Sequence, residues 1–228
     1  MKTQRLLATW TFSVGCMALL GACDVEQPAP QCTVGRGDHA VRYVLKTGSG
    51  TCAQKKAEIV GAQAFRIPNS GTPPTVYFNA ASLVTGTPGA PVTASASGAF
   101  TSEYPSDDNV CTVPAMSEAR QVVGGVERVY RWSDVRVQGR AAIPGTQWVA
   151  DLVYSEGDCT ASYEAVGVFP AVKCERTVEA GKPPVRDESL CRAVRQGSTL
   201  DPAFPIYCEE TTNLCVLEGL PPALKPAP

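Results

Sequence analysis

Histidine is almost absent from this chain: His39 stands alone among 228 residues. Zinc sites of the mixed Cys/His type need more, and no Cys-x-x-Cys pair supplies the usual thiolate half. No metal and no cofactor are therefore expected. Basic clusters are missing as well. With 20 Lys+Arg against 22 Asp+Glu the chain is mildly acidic, which argues against nucleic acid, whose affinity rests on cations neutralising phosphates. Aromatics make up only 7% of the residues, and Ala, Gly, Pro, Val and Thr are abundant instead. That balance fits an exported β-rich scaffold better than a helical bundle. Phosphate-binding loops, dinucleotide fingerprints and haem motifs are lacking too.

A long apolar run is also missing. The best stretch, Leu6 to Leu20, is broken by Thr9, Thr11 and Ser13 and falls short of the roughly 20 residues a membrane span needs. What it does resemble is an export signal: Lys2 and Arg5 in front, the apolar stretch, then Leu20-Gly21-Ala22-Cys23. Small residues before a cysteine form a bacterial lipobox, in which Cys23 becomes the new N-terminus after residues 1–22 are cleaved. Its thiol would carry a diacylglyceryl group and its amine a further acyl chain such as palmitate. One chain holds a protein to a bilayer marginally, whereas two or more hold it stably. Cys16 is a rival point, but Ser13-Val14-Gly15 matches the pattern poorly and would halve the apolar region. Asp24, next to the lipidated cysteine, retains lipoproteins in the inner membrane of enteric bacteria. That rule differs between lineages, and the outer membrane is the expected destination here.

The cysteines agree with export. Beyond Cys16 and Cys23 they number eight: Cys32, Cys52, Cys111, Cys159, Cys174, Cys191, Cys208 and Cys215. An even set in an oxidising compartment reads as disulfides, each stabilising by about 2–4 kcal/mol. Cys208 and Cys215 flank a hairpin and suggest a cross-strand bridge, and Cys32 is expected to reach Cys52 around the first strand. Cys159 and Cys174 fail a distance test. A strand over 159–168 spans about 30 Å, the six residues beyond recover at most about 21 Å, and the remaining gap exceeds the roughly 7 Å Cα limit. Elimination leaves Cys111–Cys159 and Cys174–Cys191.

The pattern along the chain predicts a mainly β fold, an antiparallel sandwich or open barrel with a disulfide-stapled C-terminal appendage. Five segments are expected: a signal peptide over 1–22, lipidated Cys23 and a tether over 23–39, a β domain over 40–176, a Cys-rich segment over 177–220, and a Pro-rich tail over 221–228. Val41, Tyr43 and Leu45 alternate with Arg42 and Lys46 in a first strand. Glu58–Ile67 and Thr75–Val84 read as further strands, with a helical turn as the alternative over 53–60. Thr85–Asn109 holds little to bury. Ala115–Val122 is expected to be a short helix, with Pro114 in its first turn and Gly124-Gly125 ending it. Val126–Gln138, Gln147–Ser155 and Thr160–Phe169 form an antiparallel meander. Apolar residues on both parities around Trp132-Ser133-Asp134 predict either a bulge there or a position buried on both sides. A helical turn is expected over Asp187–Val194 and a hairpin over Phe204–Leu217.

Catalytic signatures do not emerge. Arg36-Gly37-Asp38 is an adhesion tripeptide that chance places in polar turns. Gly48-Ser49-Gly50 lacks the strand-to-helix elbow of a serine hydrolase, and His39 is the only base on offer. Asp107-Asp108-Asn109 lacks the spaced acids of a calcium loop. Asp134, Asp151 and Glu164 lie on strands, as carboxylates on a solvated face do. No catalytic residue is assigned.

The combination of lipobox, paired cysteines, single β domain and Pro-rich tail resembles the small cysteine-rich MlpA-like lipoproteins of myxobacteria, a resemblance that implies no activity. The expected role is a membrane-anchored envelope lipoprotein with a structural, accessory or protein-binding task. Its partners would be the bilayer, through acylated Cys23, and an envelope protein. A carrier of small apolar ligands, with aromatics such as Tyr43, Trp132 and Trp148 lining a barrel cavity, is one alternative. An envelope hydrolase is another.

Overall fold

Alternating apolar and polar residues drive most of this chain into strands. The computed structural model describes residues 30–68, 70–83, 94–140, 143–192, 200, 204–221 and 224. The signal segment, Cys23, the first part of the tether and most of the tail lie outside the described residues. The strands are β1 (Gly37–Gly48), β2 (Glu58–Phe65), β3 (Thr75–Ala80), β4 (Ser95–Ala99), β5 (Val110–Ala115), β6 (Ala119–Val123), β7 (Val126–Gln138), β8 (Gln147–Glu156) and β9 (Cys159–Val168). They form one antiparallel sheet in the order β4-β3-β2-β1-β9-β8-β7-β5, with β6 on the same edge of β7 as β5.

The sheet curls until its two edges almost meet. Ser117 N–H donates to Ser97 O at 2.7 Å and Thr101 N–H to Thr112 O at 2.9 Å, linking β4 to the β5–β6 edge. Gly98 makes the seam feasible, because a Cβ there would lie 2.6 Å from Ala115 O. The result is a nearly closed barrel, which leaves few unpaired edge groups.

The three-strand meander follows the expected pattern. Register slips between Ser133 and Arg136, where Asp134 has φ 46°. Tyr130 and Trp132 before the slip, and Val135 and Val137 after it, are all buried inside. A bulge switches parity, and so reconciles a two-parity sequence with a single inward face.

Several expectations differ. The helix expected over Ala115–Val122 is the end of β5 and most of β6. Gly124 and Gly125 have φ of 59° and 82°. Two consecutive positive φ values make a tight hairpin turn of the primed type rather than a helix stop. β4 arises within the segment expected to hold little structure, by pairing with β3. The third strand ends at Ala80, and a 3-10 turn takes Ala81–Leu83. Another 3-10 turn occupies Thr51–Gln54, earlier than the helical alternative over 53–60. Leu45 is 45% exposed, so alternation in β1 stops marking the core at Tyr43.

A second layer covers part of the barrel's outside. Ala40, Val149, Val166 and Val168 project outward from β1, β8 and β9 and are buried. They pack against Cys174, Leu214, Val216, Leu217 and Leu224 of the C-terminal appendage. That appendage contains β10 (Glu175–Arg176) paired with β11 (Val185–Arg186), a 3-10 turn over Glu188–Cys191 capped by Asp187, and the hairpin of β12 (Ile206–Cys208) and β13 (Cys215–Leu217). Arg42 Nε donates to Leu217 O at 2.9 Å and stitches the two layers together.

All eight cysteines of the described residues are disulfide-bonded, in the pairs Cys32–Cys111, Cys52–Cys159, Cys174–Cys208 and Cys191–Cys215. None of the four expected pairings occurs. Cys32 precedes β1 and Cys52 follows it, so 12 strand residues separate them, about 40 Å when extended. Cys111 and Cys159 likewise lie at opposite ends of the barrel. In the appendage, the sulfurs of Cys174, Cys191 and Cys208 lie within 4.8 Å of one another, so proximity alone does not choose partners. Cys208 and Cys215 sit opposite in register yet each bonds outside its hairpin.

Packing inside the barrel leaves no slack at one point. Trp148 lies across its cross-strand neighbour Gly167, where a Cβ would come within 2.2 Å of the indole. Gly167→Ala is expected to cost about 3 kcal/mol by overpacking, read as a lower urea midpoint with unchanged slope. Gly61→Ala, whose Cβ meets nothing closer than 3.7 Å, should leave the midpoint nearly where it was.

Candidate functional site

A barrel has two ends, and the polar residues buried in this one collect there. At the end where β1 finishes and β2 begins, called distal below, Lys55 and Glu58 form an ion pair at 2.8 Å, with only 7% and 11% of their side chains exposed. The connection from the Thr51–Gln54 turn into β2 carries both, and it is pinned by Cys52–Cys159 and by Tyr163, whose hydroxyl donates to Cys52 O and accepts from Lys55 N–H. Three tyrosine rings surround the ammonium: Nζ lies 4.7 Å from the ring centre of Tyr43, 4.5 Å from Tyr130 and 4.4 Å from Tyr154. Ring faces attract a cation through their quadrupole.

Glu58 is the acceptor for the whole group. Its carboxylate takes hydrogen bonds from Tyr43 OH at 2.7 Å, Tyr130 OH at 2.8 Å and the Ser82 N–H at 3.2 Å, as well as from Lys55. Burial alone would raise its pKa. The adjacent Lys55 charge and the bonds from Lys55, Tyr43 and Tyr130 outweigh that and hold it below the usual range. Burial pulls the Lys55 ammonium down, with Glu58 opposing. Burial, followed by the Glu58 charge, pushes the Tyr43 and Tyr130 hydroxyls well above their ordinary values, so both stay neutral donors. Arg128 and Glu156, paired at 2.8 Å, flank the cluster. Charge and hydrogen bonds are met within the group, as in a structural plug.

The opposite, proximal end is closed by His39, which is fully buried. Its Nε2 lies 2.8 Å from Gly35 O and its Nδ1 lies 3.1 Å from the Trp148 Nε1–H. Indole only donates and a carbonyl only accepts, so the ring is the neutral Nε2–H tautomer. Burial lowers its pKa to about 4. The incoming chain is held here by Cys32–Cys111 and by Gly35 N–H donating to Gly145 O at 2.8 Å. A surface cavity of about 310 Å³, lined by Gln31, Thr33, Ala64 and Arg66 among others, opens beside it. A second groove of about 270 Å³ lies on the outer face of β1–β4, lined by Asp38, Gln63, Tyr77, Asn79 and Ser95 with Gly61.

The residues singled out in the sequence fall apart in space. Gly48-Ser49-Gly50 is distal and His39 proximal, about 30 Å apart along β1, so they form no nucleophile–base pair. Asp151 and Glu164 do face each other across β8 and β9, but on the outer face, where Lys46 meets Asp151 at 2.5 Å. Asp134 sits at the bulge with Arg136 at 3.3 Å. Asp107-Asp108-Asn109 makes a turn closed by Asn109 N–H to Ser106 O at 2.8 Å. Asp38 is exposed at the start of β1. The sulfurs of Cys174, Cys191 and Cys208 have metal-like spacing, and disulfide bonds engage all three. The interior proposed as a carrier cavity holds packed rings instead, with Phe78 4.6 Å and Trp132 6.0 Å from Trp148 between centroids. Sequence reasoning passed over Lys55 and Glu58, because an i,i+3 Lys–Glu pair reads as an exposed helical feature.

Removing one partner of a buried ion pair strands the other. Lys55→Met and Glu58→Gln should each cost about 3–5 kcal/mol in urea unfolding at neutral pH. The double variant should cost less than the sum, and strictly additive losses would show the two to be uncoupled. His39 has its own signature. Its folded pKa lies below the unfolded value of about 6.5, so its contribution is complete above that pH and is lost as pH falls toward about 4. At about 1.4 kcal/mol per pKa unit, roughly 3 kcal/mol should disappear across the window. His39→Asn should flatten that part of the stability–pH curve by one proton.

The barrel also delimits a family. The MlpA family model matches residues 37–170, from the first residue of β1 to just past β9. A Myxococcus xanthus protein named as a lipoprotein, MlpA, is 28% identical over 247 aligned positions, covering 98% of this chain and the whole of that protein. No solved structure matches. With the family model covering more than half of its length, the chain belongs to the MlpA family of lipoproteins.

Proposed function

We propose that this MlpA-family lipoprotein is exported, acylated at Cys23 and held on the outer membrane, where it presents a rigid β domain in a structural or protein-binding role. The observation that carries the reading is the cysteine arrangement. Every cysteine beyond the lipobox, within the described residues, is in a disulfide, as expected of a chain that matures in an oxidising compartment. A binding role fits better than a catalytic one, because the buried ionisable groups are already engaged, Lys55 with Glu58 at one end and His39 with Gly35 O and Trp148 at the other. The outer groove on β1–β4, polar and open, is the surface best suited to a protein partner.

Intact mass of the protein purified from membranes tests the anchor and the disulfides together. The expected species starts at Cys23, carries two or three acyl chains, and gains two hydrogens for each of the four disulfides on reduction. An unmodified chain would make this an ordinary secreted protein. Cys23→Ser should release the protein from the membrane fraction, and retention would overturn the anchor.

A further inference from the structure

Exposed large apolar side chains are spread over this barrel and its appendage, Leu45, Val126, Val153, Val178 and Val185 among them, and the two most exposed on the barrel share one end. Phe65, Ile67 and Tyr104 are 55%, 70% and 45% exposed, and all three belong to the proximal end. Phe65 closes β2, packed edge-on against Tyr77 with 5.3 Å between ring centres. Ile67 lies just past the strand, and Tyr104 lies in the loop after β4. An Arg66–Glu103 ion pair joins their two loops. Glu103 also accepts from Gln31 Nε2 at 3.2 Å, and its carbonyl accepts from Cys32 N–H at 2.9 Å. The apolar rim is therefore fastened to the point where the N-terminal tether joins the barrel.

Distal apolar residues have a different setting. Leu45 and Val126 lie on strands beside the ion pairs Lys46–Asp151 and Arg120–Glu127, which would have to be submerged with them. Ile67 and Tyr104 sit on connections beyond the strands, where Arg66 and Glu103 pair with each other and Asp107 and Asp108 are exposed on the loop of Tyr104.

The tether adds a distance. From Cys23 to Pro30 are seven residues, at most about 25 Å when fully extended. A diacylated Cys23 would therefore keep the proximal end within that distance of the bilayer. Aromatic and aliphatic side chains at the rim of an anchored domain favour the boundary between headgroups and acyl chains.

We infer that the proximal rim of Phe65, Ile67 and Tyr104 is a second membrane contact, which seats the barrel end-on in the bilayer interface. The inference rests on acylation of Cys23. The charges at this end, Arg36, Arg66 and Arg140 against Asp38, Glu103, Asp107 and Asp108, nearly balance, so zwitterionic lipid is the partner.

The test uses the mature acylated chain in phosphatidylcholine vesicles with brominated acyl chains, carrying Ile67→Trp, Tyr104→Trp or the distal control Leu45→Trp. The native Trp132 and Trp148 are 2% and 0% exposed inside the barrel and give a constant background. Added emission from Ile67→Trp and Tyr104→Trp should fall roughly twofold or more relative to unbrominated lipid, the depth of an interfacial side chain, while Leu45→Trp stays unchanged. Vesicle-bound protein with no quenching at position 67 would overturn the rim contact and leave the anchor intact. Equal quenching at all three positions would mean a barrel lying on its side, which also overturns it. If the unsubstituted chain fails to sediment with vesicles, the acyl anchor fails and the inference falls with it.

Discussion

A sheet that closes on itself must fill the space it encloses, and in this protein that requirement centres on the Trp148 indole. It rests on Gly167 of β9, donates to His39 of β1, and meets Phe78 of β3 from across the barrel at 4.6 Å. Three strands besides its own are thus fixed in register by one side chain. A slip of one residue in β8 would turn Trp148 outward together with Ala150, Leu152 and Tyr154. It would also leave a void that the small residues opposite could not fill. Tyr130, Trp132 and Tyr163 extend the same packing toward the distal end.

Strands close the wall of a barrel but not its ends, where polar backbone and tyrosine hydroxyls meet the core. The two ends solve this differently. At the distal end a charged pair supplies donors and acceptors at the cost of desolvating both ions. At the proximal end a neutral imidazole bridges an indole N–H to a carbonyl without any charge. Each plug lies beside a disulfide that ties a segment flanking β1 to a strand far along the chain, with separations of 79 residues for Cys32–Cys111 and 107 for Cys52–Cys159. β1 is therefore clamped at both ends. Its two neighbours inherit that rigidity, β2 by pairing with Gly37–Val41 and β9 by pairing with Ala40–Gly48 across a register shift between Leu45 and Thr47.

Strand boundaries in the 126–169 meander were legible because alternation there is strong and its turns are short. The bulge was legible as one of two readings, since a parity change in apolar residues has few other causes. β4 and β6 were not. Ser95–Ala99 has too little apolar content to announce a strand, and it becomes one only because β3 offers an edge. Ala119–Val123 reads as helix by local composition until Gly124 and Gly125 are taken as a hairpin turn. Disulfide partners were missed for a correctable reason. The length argument that excludes Cys159–Cys174 also excludes Cys32–Cys52, since the first strand separates them by its whole length. Lys55 and Glu58 stayed hidden because their burial depends on Tyr43, Tyr130 and Tyr154 arriving from β1, β7 and β8. Spacing along one segment carries no trace of that.

Activity in a protein built this way has to be sought on the surface. The interior is occupied by rings, and the groups buried at its ends are engaged, Lys55 with Glu58 and His39 with Gly35 O and Trp148, so a substrate would have to displace part of the core to reach them. On the outside, the wall is divided. The proximal parts of β1, β8 and β9, with Ile59 of β2, are covered by the appendage, which packs against Ala40, Val149 and Val166. The rest of the outward face of β2, β3 and β4 is partly exposed, with Asp38, Gln63, Tyr77 and Asn79 around a groove. The appendage buries a face that a single-layer barrel would leave apolar and sticky, and it leaves the polar face open. In the binding role proposed above, that open face would need little reordering when a partner binds.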